Sequence, residues 1–225
     1  MRQVSFSYPA ADYNAIAATQ NITTTTGGYV RLNGDLAFYP AGVLGQNATW
    51  AVMPGIQRTI GVFSTGDIST VVFFASGVDT NGRVVTASFA GASGGSSAAS
   101  DSFATFTTEI HQVNALFCTS AATSMFTAGT GATGSTRWVM MDQWKNPFAV
   151  TVGIITATIA SVTIQDTPDD PNVATSPTVF NHATLVTITA NQQSNYAYPV
   201  RFIRGVVTTN TASGVTSTIN IQQAG

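Results

Sequence analysis

Residues 69–89 read Ser-Thr-Val-Val-Phe-Phe-Ala-Ser-Gly-Val-Asp-Thr-Asn-Gly-Arg-Val-Val-Thr-Ala-Ser-Phe, two β-branched and aromatic runs on either side of Asp79-Thr80-Asn81-Gly82. Asn-Gly supplies the positive φ angles of a tight hairpin turn, and Val, Thr and Phe fit a pleated surface. Segments 69–76 and 83–89 are therefore expected to pair antiparallel. The same alternation of short runs and turns recurs downstream. Runs 148–155 and 156–165 precede Asp166-Thr-Pro-Asp-Asp-Pro171, and runs 184–190, 198–209 and 215–222 supply three more candidate strands. No ten-residue helical period separates them, which argues for antiparallel sandwiches rather than parallel βαβ units.

Composition points the same way. The 225 residues include 35 Thr, 22 Val and 19 Ser but one Lys (Lys145), one Glu (Glu109) and five Leu. Lys, Glu and Leu are the residues that build soluble helices, whereas Thr and Val are stiff at χ1 and favour strands. The expected fold is all-β: two antiparallel β-sandwich (jelly-roll or Ig-like) domains with an extended N-terminal arm. The arm is placed at 1–35, the first sandwich at 36–147 and the second at 148–225, with the boundary near Pro147. The arm carries four consecutive threonines, Thr23 to Thr26, and either adds to the edge of its own sheet or reaches a neighbouring subunit. Two glycine-rich stretches, 91–100 and 128–135, read as loops.

Charge narrows the partners. Only 8% of residues are charged, the net charge is −2, and the seven arginines are scattered. No basic stripe exists to neutralise phosphates, so nucleic-acid binding by charge is disfavoured. Apolar stretches such as 71–75 are far shorter than the ~20 residues a transmembrane helix needs, and the N-terminus shows no continuous apolar signal core. A surface this poor in charge is weakly protected against association, which suggests that much of it is covered in an assembly.

Residues with chemical potential are few. Cys118 is the sole cysteine, so no intramolecular disulfide can form, and a thiol nucleophile would need His111 or His182 as base. Ala115-Leu-Phe-Cys-Thr119 is instead the setting of a small buried hydrophobe. Glu109 and His111 would share a face on a strand, as a surface or subunit-interface pair rather than a metal site. His182 is expected to hydrogen-bond within a loop. Asp166, Asp169 and Asp170 form the densest carboxylate group; calcium is one reading, but Asp-Pro turn chemistry is preferred. No Gly-x-Ser-x-Gly elbow and no phosphate-binding loop is present. Trp138 and Trp144 are the expected exposed aromatic pair if the surface stacks on sugars, with a place in the core or domain junction preferred. No catalytic residue, cofactor or metal site is assigned, and the chain is not expected to be an enzyme; a hydrolase is the last of the alternatives.

The order of motifs carries a resemblance. Leu32-Asn-Gly34, Pro54-Gly-Ile-Gln-Arg-Thr-Ile60, Gly77-Val-Asp-Thr-Asn-Gly-Arg-Val-Val-Thr86 and Phe148-Ala-Val-Thr-Val-Gly153 lead to a more specific C-terminal set. That set is Val162-Thr-Ile-Gln-Asp-Thr-Pro-Asp-Asp170, Phe180-Asn-His-Ala-Thr-Leu185, Tyr198-Pro-Val-Arg-Phe-Ile-Arg204 and Ile221-Gln-Gln-Ala-Gly225. Together they resemble a group of small, β-rich structural proteins of tailed-bacteriophage virions. The resemblance implies a virion component made in the host cytoplasm, either a capsid decoration (cement) protein or a tail fibre-anchoring or head-tail connector protein. A carbohydrate-binding module for host attachment is a further alternative. The implied partners are the major capsid protein or tail proteins and the chain itself, as a homotrimer; neither nucleic acid nor membrane is expected.

Overall fold

The computed structural model describes residues 2–38, 50–52, 55–93, 102–105, 109–145, 149–156, 160–174, 176–210 and 216–224. The glycine- and serine-rich stretch after Ser93 and the boundary residue Pro147 lie outside them. Among the described residues the chain is all-β, with no helix and with several antiparallel sheets.

In chain order the strands are β1 (Arg2–Pro9), β2 (Asp12–Ile22), β3 (Gly28–Tyr29), β4 (Ala37–Phe38), β5 (Trp50–Val52) and β6 (Ile56–Ser64). Next come β7 (Val72–Val78), β8 (Val84–Ala90), β9 (Ser102–Thr105), β10 (Gln112–Cys118), β11 (Ala122–Thr136) and β12 (Val139–Met140). The last six are β13 (Ala149–Ile155), β14 (Ala160–Thr167), β15 (Phe180–Asn181), β16 (Gln192–Tyr196), β17 (Phe202–Asn210) and β18 (Thr216–Ala224).

The chain forms two compact units: Met1–Ala11 with Ala132–Gly225, and Asp12–Gly131. The divisions differ from those expected at 35 and 147. Of the two courses open to the N-terminal arm, residues 2–9 take the first: β1 pairs along its whole length with β18, from Arg2↔Gln223 to Pro9↔Thr216, at the edge of a sheet of its own chain. Its alternation does the rest: Phe6 and Tyr8 point inward and are buried, while Ser5 and Ser7 are exposed. The following strand, β2, pairs instead with β11.

The stretch 128–135, read from sequence as a loop, is the second half of the 15-residue strand β11. Its glycines serve close approach, not flexibility. A Cβ on Gly129 would sit 2.0 Å from the Asp12 carbonyl oxygen, and one on Gly131 would sit 2.3 Å from Thr59 Oγ1.

In the 12–131 unit one sheet runs β4-β5-β10-β7-β8, with β3 also on β10, while β6 pairs with β9 and β2 with β11. The expected hairpin is present, with β7 and β8 in register from Val72↔Ala90 to Val78↔Val84. Its turn is wider than Asn-Gly alone suggested. Only Gly82 has positive φ (77°), and the Asp79 carboxylate accepts the N–H groups of Asn81 and Arg83 at 2.8 and 2.9 Å. This capping replaces the second positive φ of a two-residue turn. Phe73 stacks on Phe89 and meets Phe126 edge-on, with ring centroids 5.8 and 5.4 Å apart.

In the other unit a four-stranded sheet runs β1-β18-β13-β16, and β17 carries β14, β12 and the end of β11. Strand β18 turns Ser217, Ile219, Ile221 and Gln223 inward. Ile219 packs on Gly205 of β17 so closely that a Cβ there would lie 2.2 Å from its Cδ1. Fully burying an isoleucine of this kind contributes roughly 1.5–3 kcal/mol. The run 184–190 makes no ladder strand. Leu185 and Ile188 anchor it through Ile164 N–H to the Leu185 carbonyl and a single Val162↔Ile188 bridge, while Thr187, at φ 54°, breaks the extended path.

Candidate functional site

The last residues of β14 and the segment entering β17 surround a pocket of about 360 Å³ in the Met1–Ala11/Ala132–Gly225 unit. Asp166, the penultimate residue of β14, lies opposite Phe180 of β15 on one side and Ile203 of β17 on the other. Cross-strand partners share a face of the sheet, so the register itself sets the Phe180 ring beside the Asp166 carboxylate. Tyr198, Pro199, Val200 and Arg201 follow β16 and form another wall, and Gln143 completes the rim. Both aromatic rings are half open to solvent, Phe180 at 53% and Tyr198 at 54%.

Asp166 is only 5% exposed. Its Oδ1 and the Tyr196 hydroxyl are both buried and neither has a partner in hydrogen-bonding geometry. The two groups nonetheless feel each other. Burial pushes the Asp166 carboxyl above its ordinary value, and the nearby Tyr196 hydroxyl and then His182 partly offset that rise. Burial likewise raises Tyr196 and Tyr198, with the Asp166 charge adding to both. The Tyr196 ring meets His182 and Tyr198 edge-on, at centroid distances of 4.7 and 5.9 Å.

His182 does sit in a loop-anchoring network, as its neighbours suggested. Its Nδ1 accepts the N–H groups of Thr184 and Leu185 at 3.1 and 3.3 Å, which places the ring proton on Nε2, 3.2 Å from the Asn195 carbonyl. The ring is thereby held as a wall for Tyr196.

The Asp166, Asp169 and Asp170 group is divided by the structure. Asp166 belongs to a strand, while the other two act as turn residues. Asp169 accepts Thr178 N–H at 2.6 Å, and Asp170 Oδ1 accepts Asn172 N–H at 2.9 Å while its Oδ2 pairs with Arg201 at 3.5 Å. Among the described residues no group of three His, Cys, Asp or Glu side chains is placed to hold a metal ion.

The thiol pairing of Cys118 with His111 is not assembled. Cys118 ends β10, fully buried, with its thiol donating to the Ser120 carbonyl at 3.3 Å; His111 precedes the start of that strand and contacts the Ile56 carbonyl at 2.7 Å through Nδ1. Seven residues of strand put them roughly 23 Å apart. Glu109 accepts from Gln57 Nε2 at 2.8 Å, so it and His111 have separate partners.

The expected tryptophan pair is also divided. Trp144 is 94% exposed, whereas Trp138 is half-buried, with the Arg204 guanidinium 4.6 Å from its ring centroid. Trp144 is therefore not part of a core. Its turn is held from below by Gln223, whose carboxamide accepts Asp142 N–H at 3.0 Å and donates to the Asp142 carbonyl at 2.8 Å.

The chain matches no family model, no curated protein and no solved structure. What the site can do must be read from its own groups: two half-open aromatic rings over a buried carboxylate. Phe180, Tyr196 and Tyr198 were not singled out from sequence as a site; neither Phe180-x-His182 nor Tyr196-x-Tyr198 lies within one strand, so no local spacing announces them.

A second concavity, of about 380 Å³, lies over β13, β16 and β18. Asn191, Gln192, Gln193, Asn220 and Gln222 line it with carboxamides, and it has neither a charged group nor an aromatic ring.

Proposed function

We propose that this chain is a structural protein of a tailed-bacteriophage virion, made in the host cytoplasm and acting as a capsid decoration (cement) protein. In this reading its sheets pack as two antiparallel sandwiches. Its partners are the major capsid protein and further copies of itself, assembled as a homotrimer, and it performs no chemistry. The reading rests on the motif resemblance and, in the structure, on one observation above all. Strand β8 ends its sheet and, among the described residues, has no strand on its outer edge. Edge strands of free monomers are usually blunted by Lys, Pro or other charges. Val84–Ala90 has none of these, and Val84 is 77% exposed. An unprotected edge on a chain with so little charge suits permanent strand-to-strand contact with a neighbour.

The pairing of β1 with β18 moves the supporting contacts away from the N-terminus. Deleting β1 would remove the buried Phe6 and Tyr8 and so test the fold rather than attachment to a particle. Attachment is better tested through salt. Few ion pairs are available to be screened, so protein bound to particles should stay bound when NaCl is raised from about 0.1 to about 1 M. Sedimentation of particles followed by gel quantification measures this, and release at high salt would contradict a contact of this kind.

A further inference from the structure

We propose that the pocket between Asp166, Phe180 and Tyr198 is a binding site for a neutral saccharide, an activity beyond the structural role proposed above. The observations converge on that ligand class. A volume of about 360 Å³ falls in the range of small-ligand sites, roughly 300–1,000 Å³. Phe180 and Tyr198 keep half their surface open at its mouth, offering apolar ring faces to the C–H face of a pyranose. Asp166 lines the same pocket and brings a carboxylate to it, although its Oδ1 is itself out of reach of solvent.

Charge decides against an anionic ligand. Arg201 lines the same pocket, and its guanidinium is held by Asp170 Oδ2 at 3.5 Å and by the Pro168 carbonyl at 3.3 Å. Arg201 is thus already paired, so a free anion meets no unpaired cation at this cavity. A ring bearing several hydroxyls can donate to Asp166 and accept from Arg201 at once. The carboxamide-lined concavity over β13 and β18 has no ring to stack on and does not share this design.

Saturation-transfer NMR on the full chain tests the site, with the methyl glycosides of glucose, galactose, mannose, rhamnose and N-acetylglucosamine as probes and N-acetyl-lysine methylamide as the cationic comparison. At least one glycoside should receive saturation on its ring protons. Its affinity should fall about tenfold in Tyr198→Ala and in Asp166→Asn and stay unchanged in Trp144→Ala. Phe180→Ala provides a second surface variant should Asp166→Asn fail to fold. Transfer to no glycoside, transfer only to the lysine derivative, or binding lost in Trp144→Ala but kept in Tyr198→Ala would each overturn the proposal. None of these readouts depends on particle attachment.

Discussion

Each unit buries one charged side chain among the described residues, and their surroundings differ. Arg58, in the Asp12–Gly131 unit, is 2% exposed and donates from Nη2 to the Gly131 carbonyl at 2.6 Å. Gly131 lacks a Cβ, and the space that atom would take is held by Thr59. The cation is thus tied to a strand backbone in a place where β11 can come no closer. Asp166, in the other unit, is nearly as buried, yet it lies against an open pocket. One buried charge joins two strands; the other sits beside the Tyr196 hydroxyl in the wall of a cavity.

The largest effect that would sharpen this contrast is expected at Arg58. Arg58→Ala leaves the Gly131 carbonyl without that donor and opens a cavity between β6 and β11, so urea unfolding should show a loss of about 3 kcal/mol. A loss below about 1 kcal/mol would mean that the cation is not structural.

Asp166→Asn should behave with the opposite sign. The folded-state pKa lies above the ordinary carboxyl value of 3.8, so the folded protein holds the proton more tightly than the unfolded chain. The wild type pays no penalty below that value and loses stability as pH rises through the raised pKa. The neutral, isosteric Asn should therefore melt a few degrees higher than wild type at pH 7, with the advantage gone at about pH 3. A variant less stable than wild type at pH 7 would place Asp166 beside Arg58 as a structural charge.

The smallest effect on stability belongs to Tyr198→Ala. With half of the ring already in solvent, it should change unfolding by no more than about 0.5 kcal/mol even as glycoside binding weakens. A large destabilisation would make the ring part of the core and not the mouth of a site.

Much of the β-structure was legible because its determinants are local. Asp79-Thr-Asn-Gly between two β-branched runs specifies a hairpin whatever surrounds it, and the structure altered only the turn geometry. The glycines of β11 were misread for the converse reason: Gly129 and Gly131 look like loop residues until Asp12 and Thr59, more than 70 positions away, are placed against them. The arm was legible in part: addition to the edge of its own sheet was one of its two expected courses, but nothing within residues 2–9 announces β18 as the partner. The candidate site depends on such distant pairings entirely. Asp166, Phe180 and Tyr198 come together through the register of β14 with β15 and the return of the chain after β16. Asp166 also stood in a Pro-rich, carboxylate-rich run whose turn signal belongs only to its later members.

The proposed role is tested most directly by an electron cryo-microscopy map of a phage particle carrying this protein. The account predicts all-β density on the capsid exterior, in copies approaching the number of capsid subunits, with the β8 edge against a neighbouring chain. About six to eighteen copies confined to the tail, or no density in purified particles, would contradict it.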